Sequence, residues 1–252
     1  MKLRWIHVLS LALALVTLGW GISPVQAEEK VYVNGIDANF PPFAYIDKDG
    51  KPAGFDVEAL DWIAREMGFK VKHVAIDWDA IIPSLTNRKI DLIASGLSVT
   101  EERKKQIDYT IPYWEIKQVL VVKKDSNLTV DDVLGNGNKV GVQRGTSEAK
   151  WMKENLIDKG RRFELVYYDS APLAAEDVVN GRIMAAAMDD APAKDIAREK
   201  PVKILGTFGM PEESFAYGVR KGDAELLNLL NEGLQRLMNS PKWNELVEKY
   251  KP

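Results

Sequence analysis

An α/β fold, with mainly parallel sheets flanked by helices, is predicted by three observations. Apolar strand-like runs alternate with amphipathic helical stretches along the chain after residue 27. Natural stops, Gly68, Gly181 and Ser240-Pro241, close the helical stretches. The composition is that of an ordinary globular protein: of 252 residues, 46% are hydrophobic and 28% charged, enough chain for one large domain or two small ones.

The elements follow in order. Residues 30–33 read as a short strand, and 39–42 as irregular because two prolines cannot continue a ladder. Asp47-Lys48-Asp49-Gly50 is a turn signal. Residues 56–67 form a helix with Val57, Leu60, Ala64 and Met67 on one face. A strand at 71–76, a helix at 80–88 and a strand at 90–94 complete the first alternation. The middle section repeats it. Strands are predicted at 119–122, 139–142, 164–168 and 183–188. Helices are predicted after Thr129 and at 147–156, 171–180 and 192–198. A strand at 216–219, a long helix at 224–239 lined by Leu226, Leu230, Leu234 and Leu237, and a last helix at 242–250 end the chain. Asn127-Leu128-Thr129 matches a glycosylation sequon, but Thr129 suits a helix N-cap better.

Residues 1–27 read as a cleaved secretory leader. Lys2 and Arg4 precede an apolar run at 8–22, and Val25-Gln26-Ala27 resembles a cleavage site. The run, about 15 residues, is short of the roughly 20 that span a bilayer, which favours cleavage over a retained anchor. No later segment is apolar enough to span, and there is no cysteine for lipidation, so a free periplasmic protein is expected. Loss of the leader's Lys2 and Arg4 leaves 32 basic against 37 acidic residues, a net charge near −5. That balance, without a basic block, argues against a nucleic-acid partner. The lack of cysteine excludes disulfides, thiolate zinc sites and a cysteine nucleophile. With His7 in the leader and His73 alone beyond it, a histidine metal site or serine–histidine triad is not expected.

Three segments stand where α/β sheets bind ligands, at the carboxyl ends of strands. The first is 95–103, Ser95-Gly96-Leu97-Ser98-Val99-Thr100-Glu101-Glu102-Arg103. Ser98 or Thr100 can cap a helix, with Glu101 completing a capping box. Arg103, in or just past the first turn, opposes the helix dipole unless an anion joins it. It reads equally as a surface arginine beside Lys104 and Lys105. The second segment is Gly145-Thr146-Ser147-Glu148, an anion-friendly helix start that ordinary capping also explains. The third is Asp189-Asp190, suited to an ammonium ligand or to capping the next helix. Phe40 and Trp78 offer rings for stacking or for packing.

Taken in register, these pieces resemble the polar amino-acid solute-binding proteins, family 3, with the type II periplasmic binding fold. The matching strings are D-A-N-F-P-P-F at 37–43, G-F-D at 54–56, D-W-D-A-I-I-P-S-L at 77–85 and D-L-I-A-S-G-L-S-V-T-E-E-R at 91–103. D-Y-T-I-P-Y at 108–113, G-V-Q-R-G-T-S at 141–147 and the D-x-P of 190–192 follow. The resemblance implies two lobes, 28–113 with 216–252 and 117–211, joined by hinge crossings at 113–117 and 211–215. It implies that Arg103, with the backbone amides of Ser98 and Ser147, clamps a ligand α-carboxylate. The Gly96 carbonyl, the Ser98 hydroxyl and Asp190 would receive the α-ammonium, and Phe40 and Trp78 would sandwich the side chain. Trp78 departs from the commoner phenylalanine, which leaves the pocket width open. Ser95 and Thr146 complete the implied site.

By family register, Asp37, Asp56, Glu148 and Asp189 lie near the distal side chain, with Gln143 as the neutral neighbour. That pocket implies a cationic amino acid, with glutamine the alternative should Arg144 neutralise an acid. No cofactor or metal is expected. The implied partners are the amino acid and the membrane subunits of an ABC importer, the protein itself being a monomer. An enzyme of the cyclohexadienyl dehydratase kind, on the same scaffold, is the competing class, with Glu148 the candidate general acid. A receptor's sensor half is a third reading, opposed by the lack of a span or signalling domain after Tyr250.

Overall fold

The computed structural model describes residues 30–251. The predicted leader and its cleavage site lie outside the described residues. Among the described residues no helix is long and apolar enough to cross a membrane.

The chain builds one sheet, crosses to build a second, and returns. The first pass contributes β1 (Val31–Ile36), β2 (Asn39–Phe40), β3 (Ala44–Ile46), β4 (Pro52–Ala53), α1 (Phe55–Met67), β5 (Lys70–Ala75), α2 (Trp78–Thr86), β6 (Leu92–Ile93) and β7 (Ile107–Tyr109). The crossing strand β8 (Trp114–Ile116) leads into β9 (Gln118–Lys123), α3 (Val130–Val133), β10 (Asn138–Gln143), α4 (Ser147–Met152), β11 (Phe163–Tyr168), α5 (Ala171–Val179), β12 (Ala185–Asp189), α6 (Asp190–Glu199) and β13 (Val202–Thr207). The return strand β14 (Glu213–Phe215) pairs antiparallel with β8, and β15 (Gly218–Arg220), α7 (Ala224–Met238) and α8 (Pro241–Tyr250) rejoin the first lobe.

The two lobes share one plan. The first sheet has the order β5-β1-β6-β15-β7, and the second β11-β10-β12-β9-β13. β1 pairs parallel with β5 and β6, and β10 with β11 and β12. In each sheet the fourth strand, β15 or β9, runs against both neighbours. The expectation of mainly parallel sheets therefore holds, with one reversed strand per lobe. That strand is the one the chain makes directly after a crossing, which is why it enters from the opposite end.

Local chemistry accounts for the helices. α1 turns its apolar stripe inward, with Phe55, Val57, Leu60 and Ile63 buried, and ends at Gly68 in the left-handed conformation (φ 75°). Leu226, Leu230, Leu234 and Leu237 of α7 bury against the same core, each contributing roughly 1.5–3 kcal/mol. Thr129 caps α3 in a reciprocal box with Asp132, as the sequence predicts for that threonine. The predicted helix after Thr100 is instead one 3₁₀ turn, Arg103–Lys105. Thr100 Oγ1 accepts from the Arg103 amide at 3.2 Å, while Glu101 binds Lys104 rather than closing a box. The predicted helix at 147–156 is α4 followed by a π turn at Lys153–Ile157. The helix expected from Pro192 starts at Asp190, so proline falls in its first turn where its missing N–H costs nothing. The irregular 39–42 segment makes a small three-stranded meander with Ala44–Ile46 and Pro52–Ala53.

Candidate ligand-binding site

The carboxyl ends of β1, β6, β10 and β12 open toward the seam between the lobes. The segments that follow them wall one cavity there. Its lining includes Asp37, Phe40, Trp78, Ser95, Gly96, Ser98 and Arg103 from the first lobe. Gln143, Thr146, Ser147, Glu148 and Asp189 line it from the second. About 380 Å³ of it is unfilled by atoms, its mouth included. The lobes stand closed on each other.

Several contacts hold the seam. Arg103 Nη2 donates to the Gly145 carbonyl at 3.1 Å, and Gln143 Nε2 to Asp37 Oδ2 at 2.6 Å. Lys150 pairs with Glu102 across the mouth, and Arg144 Nε lies 3.7 Å from Asp79 Oδ2. Gly145 has φ +78°, and a Cβ there would lie 2.9 Å from the Asp79 Cα, so a side chain would hold the lobes apart.

Arg103 is 8% exposed although it sits in a run of charged residues. Its Nη1 donates to the Ser98 carbonyl at 3.0 Å, and its guanidinium lies 5.5 Å from the Trp78 ring centroid. Two of its five N–H donors are thus accounted for by backbone carbonyls, leaving a fork that matches a carboxylate. The surface-arginine reading does not survive this burial. Thr146 Oγ1 accepts from the Ala149 amide at 3.4 Å, so ordinary capping does explain that threonine.

The second lobe's wall is acidic. Asp189, at the end of β12, is 8% exposed and Glu148, in the first turn of α4, 4%. Burial, with Glu213 nearby, pushes the Glu148 carboxyl up to about 7. Burial and the neighbouring Glu148 and Glu213 carboxylates hold Asp189 well above its usual value. Gln118 Nε2 bridges Asp189 Oδ1 at 3.1 Å and Glu213 Oε2 at 3.2 Å, and the Ser147 hydroxyl donates to Glu213 Oε2 at 2.7 Å. Gln118 and Glu213 were not singled out from sequence. A polar residue heading the apolar run 119–122 and a carboxylate inside the return crossing were the available signals.

Asp37 forms a further acidic point. Its Oδ1 accepts from the Asn39 amide at 2.9 Å, and burial raises its carboxyl despite the Gln143 bond. The Ser95 hydroxyl accepts from the Asp37 amide at 3.0 Å, fixing β1 to the loop after β6. Phe40 rests on Gly96, whose φ is +56°; a Cβ there would come 2.3 Å from the ring.

Two expectations are corrected. Asp190 does not line the cavity. It is the first residue of α6, and its Oδ2 binds Lys194 Nζ one helical turn on at 2.6 Å. The strand's last residue, Asp189, takes the wall position instead. Asp56 is also absent from the wall. It lies fully buried behind it, accepting from the Gly96 amide and the Tyr113 hydroxyl. Arg144 donates to Asp169 at 2.7 Å, so it is not spent on the acids of the cavity.

A guanidinium faces an excess of carboxylates, and such walls complement a molecule bearing both an anionic and a positively charged group. Two lobes of one plan that meet at a charged cavity form a receptor for small solutes rather than a substrate tunnel. The chain belongs to the bacterial extracellular solute-binding proteins, family 3, whose family model matches residues 32–252. It is 32% identical over 249 residues to the L-arginine-binding protein of Pseudomonas aeruginosa, covering 96% of this chain and 93% of that one. A solved ancestral arginine-binding protein bound to arginine aligns with a TM-score of 0.80 at 35% identity, over 89% of this chain and 99% of the other. An ancestral amino acid-binding protein described as a precursor of cyclohexadienyl dehydratase aligns with a TM-score of 0.80 at 33% identity, over 87% of this chain and 95% of the other.

Proposed function

We propose that this chain is the exported, periplasmic receptor of an ABC-type importer, capturing a polar amino acid, arginine or lysine first, as a monomer. The observation that carries the reading is the charge arrangement of one cavity. Arg103 stands among its walls with Asp37, Glu148 and Asp189. Arg103 would clamp the α-carboxylate beside Ser98 and Ser147. Asp189 would take the α-ammonium, the role sequence gave to Asp190. Asp37 would meet the distal cation, with Phe40 and Trp78 along its stem, and Glu148 would add negative charge beside Asp189. One ligand then contacts residues 28–113 and 117–211 together. It favours the closed form through its differential affinity, with 113–117 and 211–215 as hinges. The relatives described as binding arginine support the cationic ligand. Calorimetric titration with a panel of amino acids tests the reading, and no heat from any of them would end it.

The second reading is an enzyme with Glu148 as general acid. The carboxyl near 7 fits that role. Burial and the adjacent acids, however, account for the value without chemistry, and the similar ancestral precursor is itself described as amino acid-binding.

A further inference from the structure

Asp56 has a use that the cavity does not need. Its side chain is 0% exposed and reaches from the first turn of α1 to two places at once. Its Oδ2 accepts from the Gly96 amide at 2.6 Å and from the Tyr113 hydroxyl at 2.9 Å. Gly96 belongs to the cavity wall. Tyr113 is the residue before crossing strand β8, and its own amide donates to the Phe215 carbonyl of the return strand at 2.9 Å. One oxygen therefore joins the ligand loop to the point where both crossings leave the first lobe. The second lobe carries a counterpart. Gln118, the first residue of β9, holds Asp189 of the cavity and Glu213 of the return strand with one amide nitrogen.

We propose that Asp56 is a positioning residue that makes the loop at Gly96 rigid with the hinge end of the first lobe. A ligand that bridges the lobes can then be satisfied only by closing them. Were the loop free to shift against its own lobe, it could follow the ligand by itself, and binding would not complete closure. The short bond to Gly96 and the buried setting both oppose such a shift. Phe40 blocks it from the other side by lying on Gly96.

This inference rests on the receptor reading, and its test separates the two. The chain has no cysteine. Lys48→Cys and Lys159→Cys, exposed positions on the two lobes, therefore accept a fluorophore pair for energy transfer. Binding is measured in parallel by calorimetry with arginine. Tyr113→Phe removes the hinge half of the tether while keeping the ring, and Asp56→Asn alters both halves. At saturating ligand the ratio of closed to open molecules is expected to fall about fivefold in Tyr113→Phe, the change that loss of one hydrogen bond brings. Asp56→Asn is expected to close less still. A residue that only supports the fold would weaken affinity and leave that ratio at saturation unchanged. A closed-to-open ratio of Tyr113→Phe equal to that of the unsubstituted protein at saturation overturns the inference, whether or not Asp56→Asn folds. If the unsubstituted protein binds no amino acid of the panel, the receptor reading fails and the tether falls with it.

Discussion

On the first lobe's side of the cavity Arg103 has a carbonyl partner at Ser98, another across the seam at Gly145, and the Trp78 ring beside it. On the second lobe's side Glu148 and Asp189 crowd together with Glu213 of the return strand, and Gln118 shares one amide nitrogen between two of the three acids. The Ser98 carbonyl and the Trp78 ring, both in its own lobe, hold the guanidinium in shape. The acidic side repels itself until protons or a cation arrive. The two sides contribute differently: one supplies a preorganised fork, the other a charge deficit that a ligand ammonium relieves.

Removing the fork should have the largest effect. Arg103→Ala deletes a charge-assisted bidentate partner worth roughly 1.5–3 kcal/mol, so affinity should fall by about 10- to 150-fold while the melting temperature of the ligand-free protein stays near that of the parent. Unchanged affinity by calorimetry would take Arg103 out of the site.

The acidic side is probed by a pair of neighbours. Asp189→Asn should cost α-amino acids about tenfold and their deaminated analogues far less, because the ammonium is what Asp189 answers. Asp190→Asn, which loses a contact to Lys194 on the surface, should change affinity by less than about threefold. Equal losses for the two variants would mean that the end of β12 does not discriminate as its geometry indicates.

The smallest effect expected is on pH dependence without ligand. Glu148 rises from 4.5 to about 7 on folding. Between those values the folded protein keeps a proton that the unfolded chain has released. Its stabilising contribution is full below about 4.5 and is lost as pH rises towards 7. Asp189 is raised in the same direction, so the two titrate as a pair. Glu148→Gln should therefore lose less melting temperature than the parent as pH is raised from about 5 to about 7.5. Parallel curves would show that the crowding on this side is relieved by other means.

Most of this arrangement was legible in the chain because strand ends and helix starts are local. The alternation around Ile93, Val142 and Met188 places 95–103, 145–148 and 189–190 at the carboxyl ends of strands, and the family strings bring those ends together. What failed was finer. Asp189 and Asp190 differ by one residue, yet the change from strand to helix between them turns one into the cavity and the other to Lys194. Asp56 could not be placed because its partners, Gly96 and Tyr113, are distant in sequence. Gln118 and Glu213 were missed for the same reason, since each gains meaning from the crossing of two strands. The helix expected after Thr100 shrank to a single turn, as Arg103 is drawn inward to the Ser98 carbonyl.

The acid excess of the cavity selects for a positively charged ligand, and titration calorimetry of the purified protein with arginine, lysine, glutamine and glutamate measures that selection. Arginine or lysine should bind tightest, glutamine more weakly, and glutamate weakest because its side chain meets Asp37 with like charge. Glutamate binding more tightly than arginine would contradict the account.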